Sequence, residues 1–470
     1  MKRIIGLNFL ILFSVGCGQK FHSSAQRETL SLNDSQTPID LDNPSYSKTI
    51  APLFQKHCNS CHQEGGVAPF VLTDFPSVKR LQTSIVRSLT ARTMPPPGVD
   101  NSGKCQDFSN ATWLRDEEIN AVVKWYQSGL PIGENAHDLL PPQPKQLVAP
   151  VTRLTMAERY TPSPSAGELD DYRCFLLDPG QSADTFITAI QVSPDRATQV
   201  HHVIIFKPTS EEAQQNAEAK LGEGGRPGYS CFGAAGVAAD VVGLWAPGGN
   251  AQEMQDPETG KTIGLRLEKG RKLIMQVHYN TQNTQLPDQS SIVVKTQDEA
   301  LETKWIVMAN FMLSLKPGLS EVIESDTQGN SWWQTVDQIF SRGLADEYIA
   351  GGGLLDVLSW DLVKLVLNQP SAKNFKVYGV APHMHIMGRQ ITLEKVATDK
   401  TNTCLADVPK FDFNWQAGYN YVRPLTITKT DKLKITCRFN TSDRTEKVYF
   451  GEGTEDEMCL AFLLVAAQPD

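Results

Sequence analysis

The chain has no excess of positive charge: 44 Lys and Arg against 53 Asp and Glu leave a formal charge of −9 over 470 residues. It therefore lacks the basic footprint that phosphates require, which argues against a nucleic-acid partner. Beyond its N-terminal segment, no apolar stretch approaches the roughly 18 residues needed to span a bilayer. There is no internal repeat of short period, and no second C-x-x-C string that would complete a zinc cage. Histidine is scarce, with nine in the chain, so where they fall is informative. Hydrophobic residues at 40% and charged residues at 21% supply packed cores and exclude wholesale disorder.

Lys2 and Arg3 precede an apolar run from Ile4 to Phe13 and then Ser14-Val15-Gly16-Cys17. A positive segment, a short apolar core and small residues are an export signal. Gly16-Cys17 makes residues 1–17 resemble a bacterial lipoprotein signal, although Ser14 stands where such signals carry an aliphatic residue. Plain secretion with an incidental Cys is the alternative. The resemblance implies a lipid on Cys17, a membrane anchor, and a chain facing the periplasm or cell exterior, where disulfides persist. Residues 18–47, rich in Ser, Gln, Asn and Asp, read as a flexible tether. Pro141-Pro142-Gln143-Pro144 opens a stiff linker over 141–150.

Between tether and linker lies Cys58-Asn59-Ser60-Cys61-His62. On one helical turn two thiols can reach the two vinyl groups of a haem while the imidazole ligates iron. A redox dithiol or zinc half-site is the bland reading of the same string. A sixth ligand is expected from Met94, held in Thr93-Met94-Pro95-Pro96-Pro97, where prolines keep the loop extended; His57 and His137 are the alternatives. Leu114, Ile119, Val122, Val123 and Trp125-Tyr126 have helical spacing and stop before Gly129 and Pro131. Residues 48–140 thus resemble a small, all-α class I cytochrome c carrying one haem c.

After the linker, the remaining five His fall in three short strings: Val200-His201-His202-Val203, Gln276-Val277-His278-Tyr279 and Pro382-His383-Met384-His385. The β-branched and apolar surroundings of each predict strands or strand ends, and His placed on rigid strands suits a metal site. His383 and His385 are two apart and share a face. His201 and His202 would face opposite sides of a flat strand, so shared ligation needs a bulge or a strong local twist, or one of them is structural. Gln276 shares a face with His278 and is placed to support the ligands from behind.

The ordered set is specific. His201-His202 with its apolar run, Gln276-Val277-His278-Tyr279, His383-x-His385-x-x-Gly388 and Glu457-Met458-Cys459 together resemble the copper type II, ascorbate-dependent monooxygenases, the family of dopamine β-monooxygenase and peptidylglycine α-hydroxylating monooxygenase. The resemblance covers residues 151–470. It implies two all-β, jelly-roll-like sandwich domains, 151–300 and 301–470, each with one copper. His201, His202 and His278 would hold an electron-transfer copper; His383, His385 and Met458 would hold the oxygen-activating copper and be the catalytic set. The ligand chemistry agrees, because a thioether favours Cu(I) and imidazole suits copper. The resemblance also implies disulfides Cys174–Cys231 and Cys437–Cys459. Cys105 and Cys404 are left over, and whether they pair is open.

The implied reaction takes two electrons, places one atom of O₂ in a substrate C–H bond and releases the other as water. Electrons would come from an external donor, ascorbate-like or a redox protein, through the haem to the first copper and then the second. The peptide-amidating branch uses an Arg two positions before the first His of the His-x-His pair, and Asn and Tyr after Met-Cys; here those positions are Ala381, Leu460 and Phe462. A carboxylate clamp is therefore missing, and an apolar or aromatic small molecule is the expected substrate. Residues 316–372, with Trp332-Trp333, Gly351-Gly352-Gly353 and helical spacing over Leu354–Val366, read as an insertion. The rival class is a non-catalytic copper- or haem-binding electron-transfer lipoprotein.

Overall fold

The computed structural model describes residues 39–134 except 65 and 67, residues 146–326 except 168, 233, 248, 250, 283 and 310–312, and residues 374–468 except 429–430 and 452–454. The expected export signal, Cys17, His137, the prolines at 141–144 and most of the expected insertion lie outside these residues.

The first part is a small helical unit. Ser45 accepts from Lys48 N and starts the turn Tyr46–Ile50, which runs into the helix Ala51–His57. Asp74 caps the helix Phe75–Thr90 by accepting from Ser77 N at 2.7 Å. The third helix spans Asp116–Gln127, inside the expected segment, and stops where Gly129 takes φ +82°. Tyr46, Leu53, Phe54, Val78, Val122 and Trp125 form its core. Each buried apolar side chain there contributes roughly 1.5–3 kcal/mol. Because Tyr46 is fully buried, the packed chain begins before residue 48, inside the expected tether.

The rest is mainly β-structure, with a helix at Glu211–Ala219, and its sheets do not divide at residue 300. A nine-stranded sheet runs in the order Thr152–Thr155, Ser291–Gln297, Thr185–Ser193, Ile263–Leu267, Leu301–Ala309, Leu460–Gln468, Asn374–His383, Tyr419–Thr428, with Gln252–Glu253 beside Thr185–Ser193. The join is the parallel pairing of Leu301–Thr303 with Ile263–Leu265. A five-stranded sheet (Tyr229–Ser230, Asp170–Leu177, Leu273–Asn280, Val200–Pro208, Ala239–Trp245) belongs to the first half. A four-stranded sheet (Ser320–Asp326, Lys432–Asn440, Gly388–Val396, Asn402–Val408) belongs to the second. The expected two sandwiches therefore share one continuous sheet. Tyr378, Leu464 and Ala466 of the second half sit in the core of the first. A buried cluster reinforces the join: Lys376 Nζ contacts Asp256 Oδ2 at 2.9 Å, and Tyr378 OH donates to the same oxygen at 3.0 Å. Ser320–Asp326, inside the segment expected to be an insertion, pairs residue for residue with Lys434–Asn440.

Three disulfides are present: Cys174–Cys231, Cys437–Cys459 and Cys105–Cys404. The last closes the pairing that the sequence left open and ties the helical unit to the second half. Around it, Asp100 N donates to Asp407 O at 2.7 Å and Val422 N to Asp107 O at 2.9 Å. Phe108, 3% exposed, packs 5.0 Å from the Tyr421 ring.

Candidate metal centres

The first cluster is made by strand register. Val200 pairs with Tyr279 and His202 with His278, leaving His201 as an extra residue in a β-bulge. The bulge rotates His201 onto the face it would otherwise miss. His201 Nδ1 lies 3.3 Å from His202 Nδ1 and 3.1 Å from His278 Nδ1; His278 and His202 Nδ1 are 3.2 Å apart. Three nitrogens about 2 Å from one ion stand roughly 3.3 Å apart in a tetrahedral arrangement, so the spacing fits a shared metal. His278 Nε2 donates to Asp170 Oδ1 at 2.9 Å, which leaves its Nδ1 lone pair facing the other two. Tyr172 stacks on the His278 ring at 4.2 Å and 8°. Burial and the neighbouring His278 lower the His201 pKa to about 4, and burial with both neighbours holds His202 well below its usual value. Imidazoles crowded in this way are metal ligands in waiting.

The second cluster is gathered from separate segments. His383 ends its strand, His385 lies just beyond it, and their ring centres are 5.2 Å apart. His383 Nδ1 donates to Gln416 Oε1, and His385 Nδ1 donates to Asp456 O at 3.1 Å. Each ring is thus held through Nδ1, and that of His383 keeps Nε2 for a metal. Burial, then the neighbouring His385, lowers the His383 pKa to about 3. Met458 is 2% exposed and lines one cavity with His383 and His385. Two imidazoles and a thioether form a set suited to copper and poor for zinc.

Glu457 holds this arrangement. Fully buried, its carboxylate accepts from His385 N, from Met387 N at 2.9 Å and from Met458 N at 2.8 Å. Burial raises its pKa to about 7 against the pull of those N–H groups. Gly388 completes the motif because a Cβ there would lie 2.8 Å from Met384 Cβ.

The same cavity reaches the first cluster, since His202 and Gln276 also line it, together with Ala381, Leu460 and Phe462. Gln276 does not touch a ligand ring; its Nε2 donates to Ala234 O at 2.7 Å and pins the loop after Cys231. The segment 409–418 borders the second cluster through Gln416 and through Phe413, whose ring lies 5.8 Å from that of His385. At its start Lys410 Nζ donates to Ala91 O of the helical unit.

The C-x-x-C-H segment follows the helix Ala51–His57 as a turn, with Cys58 and Cys61 unpaired. His62 is buried and its Nδ1 donates to Phe70 O at 3.1 Å, leaving Nε2 for iron. Two free thiols beside an oriented imidazole fit a covalently held haem. Met94 is 40% exposed, in a cleft lined by Trp113, Leu114, Ile119, Pro409 and Lys410 but not by His62. The proline loop and residues 409–410 of the second half line this cleft together. The side chain of His57, an alternative, is buried, with its Nε2 4.0 Å from Glu118 Oε1 and without a hydrogen-bond partner.

Asp170, Tyr172 and Gln416 escaped the sequence reading. None sits in a motif, and each reaches its His across strands or from a loop. Glu457 was visible beside Met458, but nothing in the spacing disclosed three backbone donors converging on it.

Residues 367–468 match the model of the copper type II ascorbate-dependent monooxygenase C-terminal domain. The chain is 25% identical over 270 residues to DBH-like monooxygenase protein 1 of Homo sapiens, covering 56% of this chain and 39% of that one. It is 24% identical over 302 residues to the Gallus gallus protein of the same name, covering 62% and 44%. Putative DBH-like monooxygenase protein 2 of Homo sapiens is 23% identical over 392 residues, covering 82% and 66%. The chain thus spans 39% and 44% of the length of the first two relatives. Among solved structures, the major capsid protein P2 of bacteriophage PM2 aligns at a TM-score of 0.24 and 8% identity over 68% of this chain and 98% of that one, too weak a likeness to argue from. The sequence matches support the copper type II, ascorbate-dependent monooxygenase family for this chain, most directly through its C-terminal part.

Proposed function

We propose that the protein is a copper-dependent monooxygenase that hydroxylates a C–H bond of a small organic molecule, with electrons supplied through a c-type haem on its own N-terminal unit. The balance is R–H + O₂ + two electrons + two protons giving R–OH + H₂O. His201, His202 and His278 would hold one copper, His383, His385 and Met458 the other, and Cys58, Cys61 and His62 the haem. Bound there, the metals supply one-electron transfer and oxygen activation.

The residues around them do the rest. Asp170 and Gln416 fix ring orientation, Glu457 holds the two backbone segments of the second cluster together, and the apolar wall limits water beside the reacting bond. One observation carries the reading: a single cavity touches both His202 of the first cluster and His383, His385 and Met458 of the second. A copper store or electron relay has no need of a substrate-sized space between its sites.

The test is metal analysis and isotope labelling. Two coppers and one iron per chain are expected, with label from ¹⁸O₂ entering the product. His383→Ala should retain the first copper, lose the second and abolish product. Reductant-driven oxygen consumption with no labelled product from any screened substrate would return the protein to the electron-transfer class.

A further inference from the structure

The cavity between the two clusters has no Asp, Glu, Lys or Arg among its described lining residues. Its amides are committed to the scaffold: Gln276 Nε2 to Ala234 O, and Gln416 to both His383 Nδ1 and Phe413 O. What remains is aromatic and aliphatic surface from Phe232, Leu244, Trp245, Leu460 and Phe462, with the Tyr172 hydroxyl as a neutral hydrogen-bonding group. A charged group moving into this space gives up its hydration and meets no opposite charge on the wall, whereas an apolar ring gains by the transfer.

From this wall we infer that the substrate is an uncharged molecule with an aromatic or alicyclic body and at most a neutral hydroxyl-type handle, and that ammonium- and carboxylate-bearing analogues are disfavoured. The inference rests on the monooxygenase reading and adds the substrate class to it. Selectivity on this wall comes from desolvation, since no described side chain offers a charge to pair with.

Three probes sharing a phenol ring isolate the variable. At neutral pH the para substituent of 4-ethylphenol is uncharged, that of tyramine is cationic and that of 4-hydroxyphenylacetate is anionic. Binding of each to the full copper-loaded chain, kept anaerobic and unreduced, is read by calorimetry and by quenching of tryptophan fluorescence. It is repeated without copper to remove the metals' own charge. 4-Ethylphenol should bind at least about tenfold more tightly than either partner in both states. Phe232→Asp places a carboxylate on the wall at a position 39% exposed, where folding tolerates it, and should shift the preference toward tyramine. Phe232→Ala adds no charge and should keep the original order.

Equal or tighter binding of tyramine or 4-hydroxyphenylacetate to the unaltered chain, or no binding of 4-ethylphenol at millimolar concentration, overturns the inference. Turnover is scored separately. Selective binding of 4-ethylphenol without ¹⁸O incorporation removes the monooxygenase reading and leaves the selectivity standing. Faster hydroxylation of tyramine leaves that reading and removes the selectivity.

Discussion

The two histidine clusters are built by opposite means. His201, His202 and His278 sit on neighbouring strands of one sheet, and a single bulge brings them together through Nδ1. His383, His385 and Met458 come from a strand end, the turn after it and the approach to another strand, and both imidazoles are held through Nδ1. A cluster placed by a ladder of backbone hydrogen bonds draws its precision from the sheet and depends weakly on any one neighbour. A cluster assembled from separate segments depends on whatever holds those segments, here the Glu457 carboxylate. The contrast suits the proposed division of labour, because electron transfer works best with little rearrangement while oxygen chemistry needs open coordination and room for substrate.

Glu457→Gln offers the sharpest way to break this contrast. The amide keeps the volume but turns an N–H₂ group toward backbone donors, leaving buried groups facing one another without acceptors. Copper affinity at the second cluster should fall about 10–100-fold, with the first unchanged. Competition against a Cu(I) chelator on the separate single-site variants measures each. Equal losses at both clusters would mean that one framework, rather than two, sets the geometry.

Much of this was legible in the sequence, and the pattern of misses is physical. Ligand residues announced themselves because five His in three strand-like strings is a local, countable signal, and the third helix followed from its spacing. Strand geometry left a bulge at His201-His202 as one of three options, and a register shift lies there. The continuous nine-stranded sheet was not legible, because the parallel pairing of Leu301–Thr303 with Ile263–Leu265 leaves no mark in either segment. Nor was the direction of the Met94 loop. Prolines stiffen a loop without choosing its partner, and the partner, at residues 409–410, lies more than 300 positions away. Supporting groups such as Asp170 and Gln416 are ordinary residues made functional by tertiary placement.

Two milder substitutions probe the contrast from each side. Asp170→Asn keeps an acceptor near His278 Nε2 but removes the charge, so the imidazole becomes a weaker base. About a tenfold loss of copper affinity is expected at the first cluster and none at the second. A loss at the second cluster instead would tie the sites together electrostatically across the cavity.

Gln416→Leu should have the smallest effect. His383 is half-buried, so water can replace the lost acceptor at its Nδ1, and the site forfeits about one ordinary hydrogen bond of roughly 0.5–1.5 kcal/mol. That corresponds to about a two- to tenfold weaker second copper. The variant also separates orientation from clamping, because Glu457 still holds His385 and Met458 while the His383 ring is free to turn. If Gln416→Leu weakened the second copper as much as Glu457→Gln, ring orientation by the 409–418 segment would be the dominant constraint, and the helical unit bonded to that segment through Lys410 would be part of the site's framework.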